Sequence, residues 1–394
     1  MKIQYRREGG PYRNISIRVL CVILLLMVLL FTGCPPYEGT GEYTDTNGYA
    51  RGVDTQGFYA YVADGIRGLK VMNISNPMGP YQVGAIDLDG FNGRVAVYGR
   101  LAAVTDTDQN RIFIVDIQDH FNPQLMWTYS TLDKPVNLYF KDNVIYIAER
   151  GENPQDGSYF SGIETVSCQY PNPPQQLSSV SISDITDVIA RNSVVITYNN
   201  VYAVSKTKLT ILSHSQGIIN PPPVSTLSFA GTEQIQSIDF CTGDHLMVLG
   251  QSLYLLDISN ISAPVIVTSV PVSGYPDERV ISYHSVTYSI GPWGAPFSSF
   301  RYTESRFYYS TLREIGWGRI NWSNQVLDLE GQMDVYHESD GHVKVYDIKA
   351  LYHGHSLTLP YTRGAIFIGM VAALDNYGLG YERLAEIPFS QYNP

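Results

Sequence analysis

Charged residues are scarce in this chain: 16% of its 394 residues are Asp, Glu, Lys or Arg, where about a quarter is usual for soluble domains. Runs of Ala, Glu, Lys and Leu at helical spacing are also few, which predicts little helix. The longest apolar run, Val19–Phe31, has 13 residues, short of the roughly 20 that a membrane-spanning helix needs. Cysteines number four. Cys21 lies in that apolar run and Cys34 just beyond it, so Cys168 and Cys241 remain, and two isolated thiols cannot build a zinc site. The repeat described below puts this pair in non-neighbouring units, which favours free buried thiols over a bridge. Missing too are a G-x-S-x-G elbow, a Walker loop, a Rossmann fingerprint and an H-E-x-x-H pair, and with them the common sequence signatures of hydrolytic, nucleotide and zinc chemistry. No catalytic residue, metal ligand or cofactor is assigned from the sequence. What is plentiful is tyrosine, 30 residues, and aromatic and β-branched residues suit strands.

The first 33 residues form a unit of their own. Lys2, Arg6, Arg7, Arg13 and Arg18 precede the apolar run, and the small residues of "FTGC" follow it. A basic start, an apolar core of about 7–15 residues and a small-residue cleavage site describe a secretory signal. The stretch ending at Cys34 resembles the lipobox of bacterial lipoproteins, with Phe31 where Leu is usual. The resemblance implies that Cys34 is acylated and becomes the mature N-terminus. Removing residues 1–33 removes a net +4 and shifts the formal charge from −11 to −15. Such acidity argues against nucleic acid as a partner, since that requires basic patches. It also leaves membrane attachment to the acyl chains. Residues 34–50, rich in Gly, Pro, Thr and acids, read as a flexible tether.

From residue 51 to 394 the chain is periodic. Short apolar runs end in a small polar or acidic residue: "LKVMNIS" at Asn73, "RIFIVDIQ" at Asp116, "GIETVSC" at Ser167, "KLTILSH" at Ser213, "LYLLDIS" at Asp257 and "VKVYDIK" at Asp347. The separations are 43, 51, 46, 44 and 90 residues. A period of about 40–45 residues is that of a four-stranded propeller blade. A second apolar run precedes each of the first copies and ends in an acid, at Asp64, Asp106 and Glu149. A proline turn follows the anchor, at Pro77, Pro123 and Pro264; proline cannot donate to a ladder and so ends the third strand. A short fourth strand is expected after it. The runs are nearly continuous, which suits sheets buried on both faces better than the alternation of a sandwich. The expected fold is therefore all-β, a β-propeller of four-stranded antiparallel blades. Copies starting near Arg51, Gly93, Pro135, Ile185, Ile235 and Glu278, plus the tail "AIFIGMVAALDNYGLGYERLAEI", make seven blades. In that count "VKVYDIK" is the third strand of the sixth copy, and Asp375 of the tail aligns with Asp64. Making "REIGWGRINW" a blade of its own gives eight; merging weak copies gives six.

"AYVADGIRGLKVMNISNP", "IFIVDI" (Ile112–Ile117) and "LYLLDIS" (Leu253–Ser259) resemble the LVIVD repeat of secreted bacterial and archaeal proteins. The resemblance is clear in the first, second and fifth copies. It implies a propeller in the cell envelope and no particular reaction.

Three candidate sites emerge. Asp64, Asp106, Glu149 and Asp375 recur at one strand end and would circle one face, either to meet a cation or, as acids at turns commonly do, to cap backbone amides. Gly291–Trp322 interrupts the period and carries Trp293, Phe297, Phe300, Tyr302, Phe307, Tyr308, Tyr309, Trp317 and Trp322. Either it presents a rigid aromatic platform for a protein or glycan partner, or it packs under itself as a satellite core. His337, His342, His353 and His355 crowd the C-terminal third, and ordinary surface or hydrogen-bonded roles suit them better than metal binding. The expected function is a lipid-anchored, extracytoplasmic binding or scaffold module of the envelope, at the outer membrane or cell surface. The alternative is a propeller hydrolase or lactonase with a metal in its central channel, whose ligands would come from separate blades.

Overall fold

The computed structural model describes residues 50–75, 81–151, 160–191, 199–230, 233–241, 244–272, 280–290, 300–310, 314–334, 336–337, 341–353 and 363–372. All fall within one unit, Thr40–Ile387. The proposed signal, Cys34, the tether up to residue 49, Trp293, Phe297, His355 and Asp375 lie outside the described residues.

Every described element is a strand. The first sheet holds β1 (Gly52–Gln56), β2 (Tyr59–Ala63), β3 (Leu69–Asn73) and β4 (Tyr81–Ile86). The second holds β5 (Asn92–Tyr98), β6 (Leu101–Asp106), β7 (Arg111–Asp116) and β8 (Gln124–Ser130), and the third β9 (Pro135–Lys141), β10 (Val144–Arg150), β11 (Ser161–Ser167) and β12 (Gln175–Ser181). The fourth has β13 (Ile185–Arg191), β14 (Asn200–Ser205), β15 (Lys208–Ser215) and β16 (Ile218–Ser228), the fifth β17 (Ser237–Phe240), β18 (His245–Leu249), β19 (Ser252–Asp257) and β20 (Val265–Pro271). The sixth comprises β21 (Val280–Ile290), β22 (Phe300–Ser310), β23 (Glu314–Asn321) and β24 (Val326–Asp334). Each is an antiparallel sheet in sequence order. A three-stranded sheet follows: β25 (Tyr336–His337), β26 (Gly341–His353) and β27 (Arg363–Ala372). The first strands of successive sheets touch in order, and β26 touches both β21 and β1, which closes the circle.

Local chemistry explains the blade. Tight turns join the first and second strands: Gly57 and Gly99 each adopt φ 62°, and Asp142-Asn143 adopt φ 50° and 61°, left-handed geometry that matches strand twist in two-residue hairpins. In all six four-stranded sheets the register slips between the third and fourth strands, by one residue in five of them, as at Val71/Met72 and Ile114/Val115, and by three in the fourth, between Ile211 and Ser213. Such bulges sharpen the right-handed twist, here at the rim of every blade. The second and third strands are buried on both faces, as in β6 and β10, whereas β8, β12 and β20 share one partly exposed pattern along seven residues. There is accordingly no single core. One apolar cluster fills each seam between neighbouring sheets: Tyr61, Val71, Val104 and Val115 between the first two; Ile114, Leu138, Ile147 and Val166 between the next two. The same holds around to the fifth and sixth.

The sequence reading counts seven blades, with six or eight as alternatives; among the described residues the ring has six four-stranded sheets and, in the remaining place, the three-stranded sheet. Two sequence expectations are revised. "VKVYDIK" is not the third strand of the sixth blade: it lies in β26 and pairs with the "AIFIGMVA" segment in β27. Gly291–Trp322 is not wholly an insertion, because β22 and β23 are the second and third strands of the sixth blade, with β21 and β22 at 11 residues each. Long strands, which carry no breaker, stretched the period there. The expected fourth strands are found at six or seven residues in β4, β8 and β20. Cys168 and Cys241 are buried free thiols, and burial pushes both pKa values up.

Candidate functional site

The innermost strands carry polar residues where an inner strand would otherwise be apolar. Asp187 on β13 is a buried one. Its Oδ1 accepts hydrogen bonds from the Asn137 Nδ2 amide on β9 (2.6 Å) and its own neighbour's Val188 N–H (2.7 Å). Its Oδ2 accepts from Ile238 N–H (2.9 Å) and Ser237 Oγ (3.1 Å) on β17. One carboxylate thus ties three blades. Burial pushes its pKa up to about 7, against the pull of the Ile238 and Val188 amides, the Ser237 hydroxyl and the Arg94 charge. Asp54 on β1 repeats the device, accepting from Thr55 N–H and, across the seam, from Val97 N–H on β5, both at 2.9 Å. Sequence reading overlooked these staples. The signal was present in "GVDTQ", "PVNLY" and "ITDVI": an acid or amide inside an inner strand.

A carboxylate has about four acceptor positions, and in Asp187 four donors fill them. It could ligate a metal only by giving up a seam contact. Among the described residues, no group of three or more His, Cys, Asp or Glu is arranged to hold a metal ion.

Among the described residues, the acids at the ends of second strands, Asp64, Asp106 and Glu149, are buried, each 0% exposed, and are not open to solvent. Lys70 Nζ stands 2.7 Å from Asp64 Oδ2, and Arg111 Nε 2.7 Å from Asp106 Oδ2. Asp106 Oδ1 also accepts from Phe91 and Asp108 N–H (3.2 and 3.0 Å), and Glu149 Oε2 from Asp133 N–H (2.8 Å). Capping and internal pairing, the plainer alternative, are what these residues do.

In the sixth blade the aromatic set divides. Phe307 and Tyr309 are buried, 0% and 1% exposed, with Ile320, Leu327 and the fifth blade's Leu253 and Leu255. Trp322 packs edge-on to His245 and donates from Nε1 to Ser305 Oγ at 2.8 Å. These three belong to a seam, which corrects their placement on a surface platform: period-2 alternation in β22 turns every second residue inward. Phe300, Tyr302 and Tyr308 lie on β22 and Trp317 on β23. His337 and His342 lie on β25 and β26, and His353 ends β26.

A different apolar surface is present. Tyr81, Leu125, Val265 and Ile218 each stand at or next to the start of a fourth strand, and Phe121 and Tyr170 in the turns before such strands. All are at least 41% exposed. Because the strands alternate in direction, those positions share one face, opposite to Asp64, Asp106 and Glu149. The turns also lean on the preceding blade: His120 Nδ1 meets Tyr61 Oη at 3.1 Å, and Arg100 lies 3.8 Å over the Tyr170 ring.

Comparison with known proteins agrees with this geometry. The LVIVD repeat family matches residues 47–87, 89–131 and 243–272. No curated protein matches the chain in sequence. Among solved structures, Sqt1 of Saccharomyces cerevisiae is similar at 8% identity and a TM-score of 0.58, covering 90% of this chain and 100% of its own. The WD40 β-propeller domain of Doa1 is similar at 10% identity and a TM-score of 0.56, covering 89% and 98%. A putative 6-phosphogluconolactonase from Bacteroides uniformis is similar at 12% identity and a TM-score of 0.53, covering 72% and 85%. At such identities the likeness concerns the fold alone. The chain is a β-propeller whose first, second and fifth blades carry LVIVD repeats.

Proposed function

We propose that this protein is a lipid-anchored, extracytoplasmic β-propeller that serves as a protein-binding or scaffold module of the cell envelope. The observation that carries the binding role is the apolar band on the face of the third-to-fourth-strand turns. Exposed apolar residues scattered singly are ordinary, but residues that recur around the third-to-fourth-strand turn in successive blades share one face. Tyr81, Phe121, Tyr170, Ile218 and Val265 supply one from each of the first five blades. Phe300, Tyr302, Tyr308 and Trp317 are proposed as a second contact region on the sixth. The anchor rests on Val19–Cys34, and acyl chains would locate an acidic body that has no attraction of its own to anionic lipid.

A channel-metal hydrolase or lactonase is the other reading, suggested by the similar fold of the putative 6-phosphogluconolactonase and by polar residues on inner strands. The filled acceptor positions of Asp187 weigh against it. Photo-crosslinkers at Leu125 and Val265, compared with Leu132 on the opposite face, test the binding role in detergent-extracted protein. Crosslinks to one partner from the first two positions are expected. Crosslinks from Leu132 alone, or a metal-dependent lactonase activity without any partner, would replace the proposal. Metabolic labelling with an alkyne fatty acid should mark the wild-type chain and leave Cys34→Ala unlabelled.

A further inference from the structure

The third blade departs from the ion pairing of the first two. In the first, Lys70 sits opposite Val62, two residues before Asp64. In the third, Glu164 sits opposite Ile147, two residues before Glu149. Glu164 therefore occupies the place of a lysine. Both carboxyl groups are 0% exposed, and two carboxylates side by side without water cannot both ionise cheaply.

The hydrogen bonds distinguish the two. Glu164 Oε1 accepts from Tyr129 O–H (2.7 Å) and Oε2 from Leu132 N–H (3.3 Å). Glu149 Oε2 accepts from Asp133 N–H (2.8 Å), while its Oε1 is buried with no donor reaching it. That is the oxygen expected to carry a proton toward Glu164. Burial raises the Glu149 pKa far above the carboxyl range, and its hydrogen bond and repulsion with Glu164 raise it further.

No cation is among the groups that shift the Glu149 carboxyl. On β8 the facing group is Tyr129. The β8–β9 connection offers Asp133, which adds repulsion, next to Lys134. Along β9, Tyr139 and Lys141 pair toward the far end of β10, with Tyr146 and Val144. Arg150 follows Glu149 on its own strand. On β13, Asp187 is turned to Asn137 and Ile238.

We infer that Glu149 and Glu164 hold one proton between them, and that the protonated pair latches the connection between the second and third blades. Tyr129, Leu132 and Asp133 are all gripped by it. Loss of the proton leaves two like charges in a dry seam, and the grip on residues 129–133 slackens.

The sign follows from linkage. The proton is bound in the folded protein at pH values where an ordinary carboxyl is ionised. The stabilisation is complete below the ordinary carboxyl range and declines as pH rises toward the raised pKa of Glu149, with the unfolding constant growing by up to about tenfold per pH unit. Urea unfolding of the full chain at pH 7.5, 8.5 and 9.5 tests this, with Glu149→Gln and Glu164→Lys in parallel. Unfolding frees the buried Cys168 and Cys241 thiols to ionise in all three proteins alike, and over that shared slope the wild type should show one proton more. Glu149→Gln, whose amide donates without a proton to lose, and Glu164→Lys, which restores the arrangement at Lys70, should lose that extra proton. Hydrogen exchange at the Leu132 and Asp133 amides should accelerate with pH beyond its intrinsic rate in the wild type. A flat wild-type profile overturns the inference even if neither variant folds. So does a slope of equal size in all three proteins, or a millimolar calcium effect that stabilises the wild type and removes its extra slope, since the neutralising cation would then be a metal.

Discussion

Asp187 shows how much one side chain can be asked to hold. Four donors converge on it from three blades, and an amide in its place must turn an N–H₂ toward two of them. Asp187→Asn should therefore lose about 1–3 kcal/mol for each donor left unsatisfied, read as a lower urea midpoint. Its pKa, raised to about 7, adds a pH dependence. Folded above its unfolded value, the group contributes fully below the ordinary carboxyl range and loses that contribution as pH rises through about 7. The variant should lack the decline over that window, while the decline above pH 7.5 belongs to Glu149 and to the buried thiols of Cys168 and Cys241. At Gly68 the constraint is space as well as backbone. Its φ is +77° and a Cβ would lie 2.2 Å from the Ile86 carbonyl oxygen, whereas Gly99, at φ +62°, faces open space. Gly99→Ala should cost about 1–2 kcal/mol and Gly68→Ala clearly more, a ranking that thermal melts of the pair will check.

Among the elements, the second and third strands were plain in the sequence because burial on both faces removes polar residues from them, as in "LAAVTD" and "RIFIVD". Ile114 illustrates what that burial is worth. It is 0% exposed in the seam between the second and third blades. Ile114→Ala should cost about 2–5 kcal/mol without altering the sheet, which denaturant unfolding and circular dichroism together would show. The sixth blade was obscured for another reason: β21 and β22 run 11 residues, so the period of the earlier blades does not mark them off. The acids at strand ends were found by their recurrence, yet their partners were not. Lys70, Arg111 and Glu164 stand on the next strand, and only register decides which residue faces which.

In the whole molecule, stability is distributed over seams, each cluster shared by two neighbouring blades. Closure depends on β26, which touches both β21 and β1. A chain ending at Asp334 should leave two sheet faces uncovered, and apolar faces so exposed associate. Size-exclusion chromatography should show oligomers, and limited proteolysis should reach the first and sixth blades sooner than in the full chain.

The amino-acid sequence by itself determined the blade: its period, the apolar second and third strands, the proline after the third and the glycine or Asp-Asn turn after the first. These are local properties, written within some forty residues. The tertiary structure alone decided which polar residues meet across seams, that Asp187 is tied to Asn137 and Ile238, that Glu149 faces another acid, and that Tyr309 points inward. Those pairings join residues up to about fifty positions apart, and no local pattern encodes them, because they arise only when one twisted sheet is laid against the next.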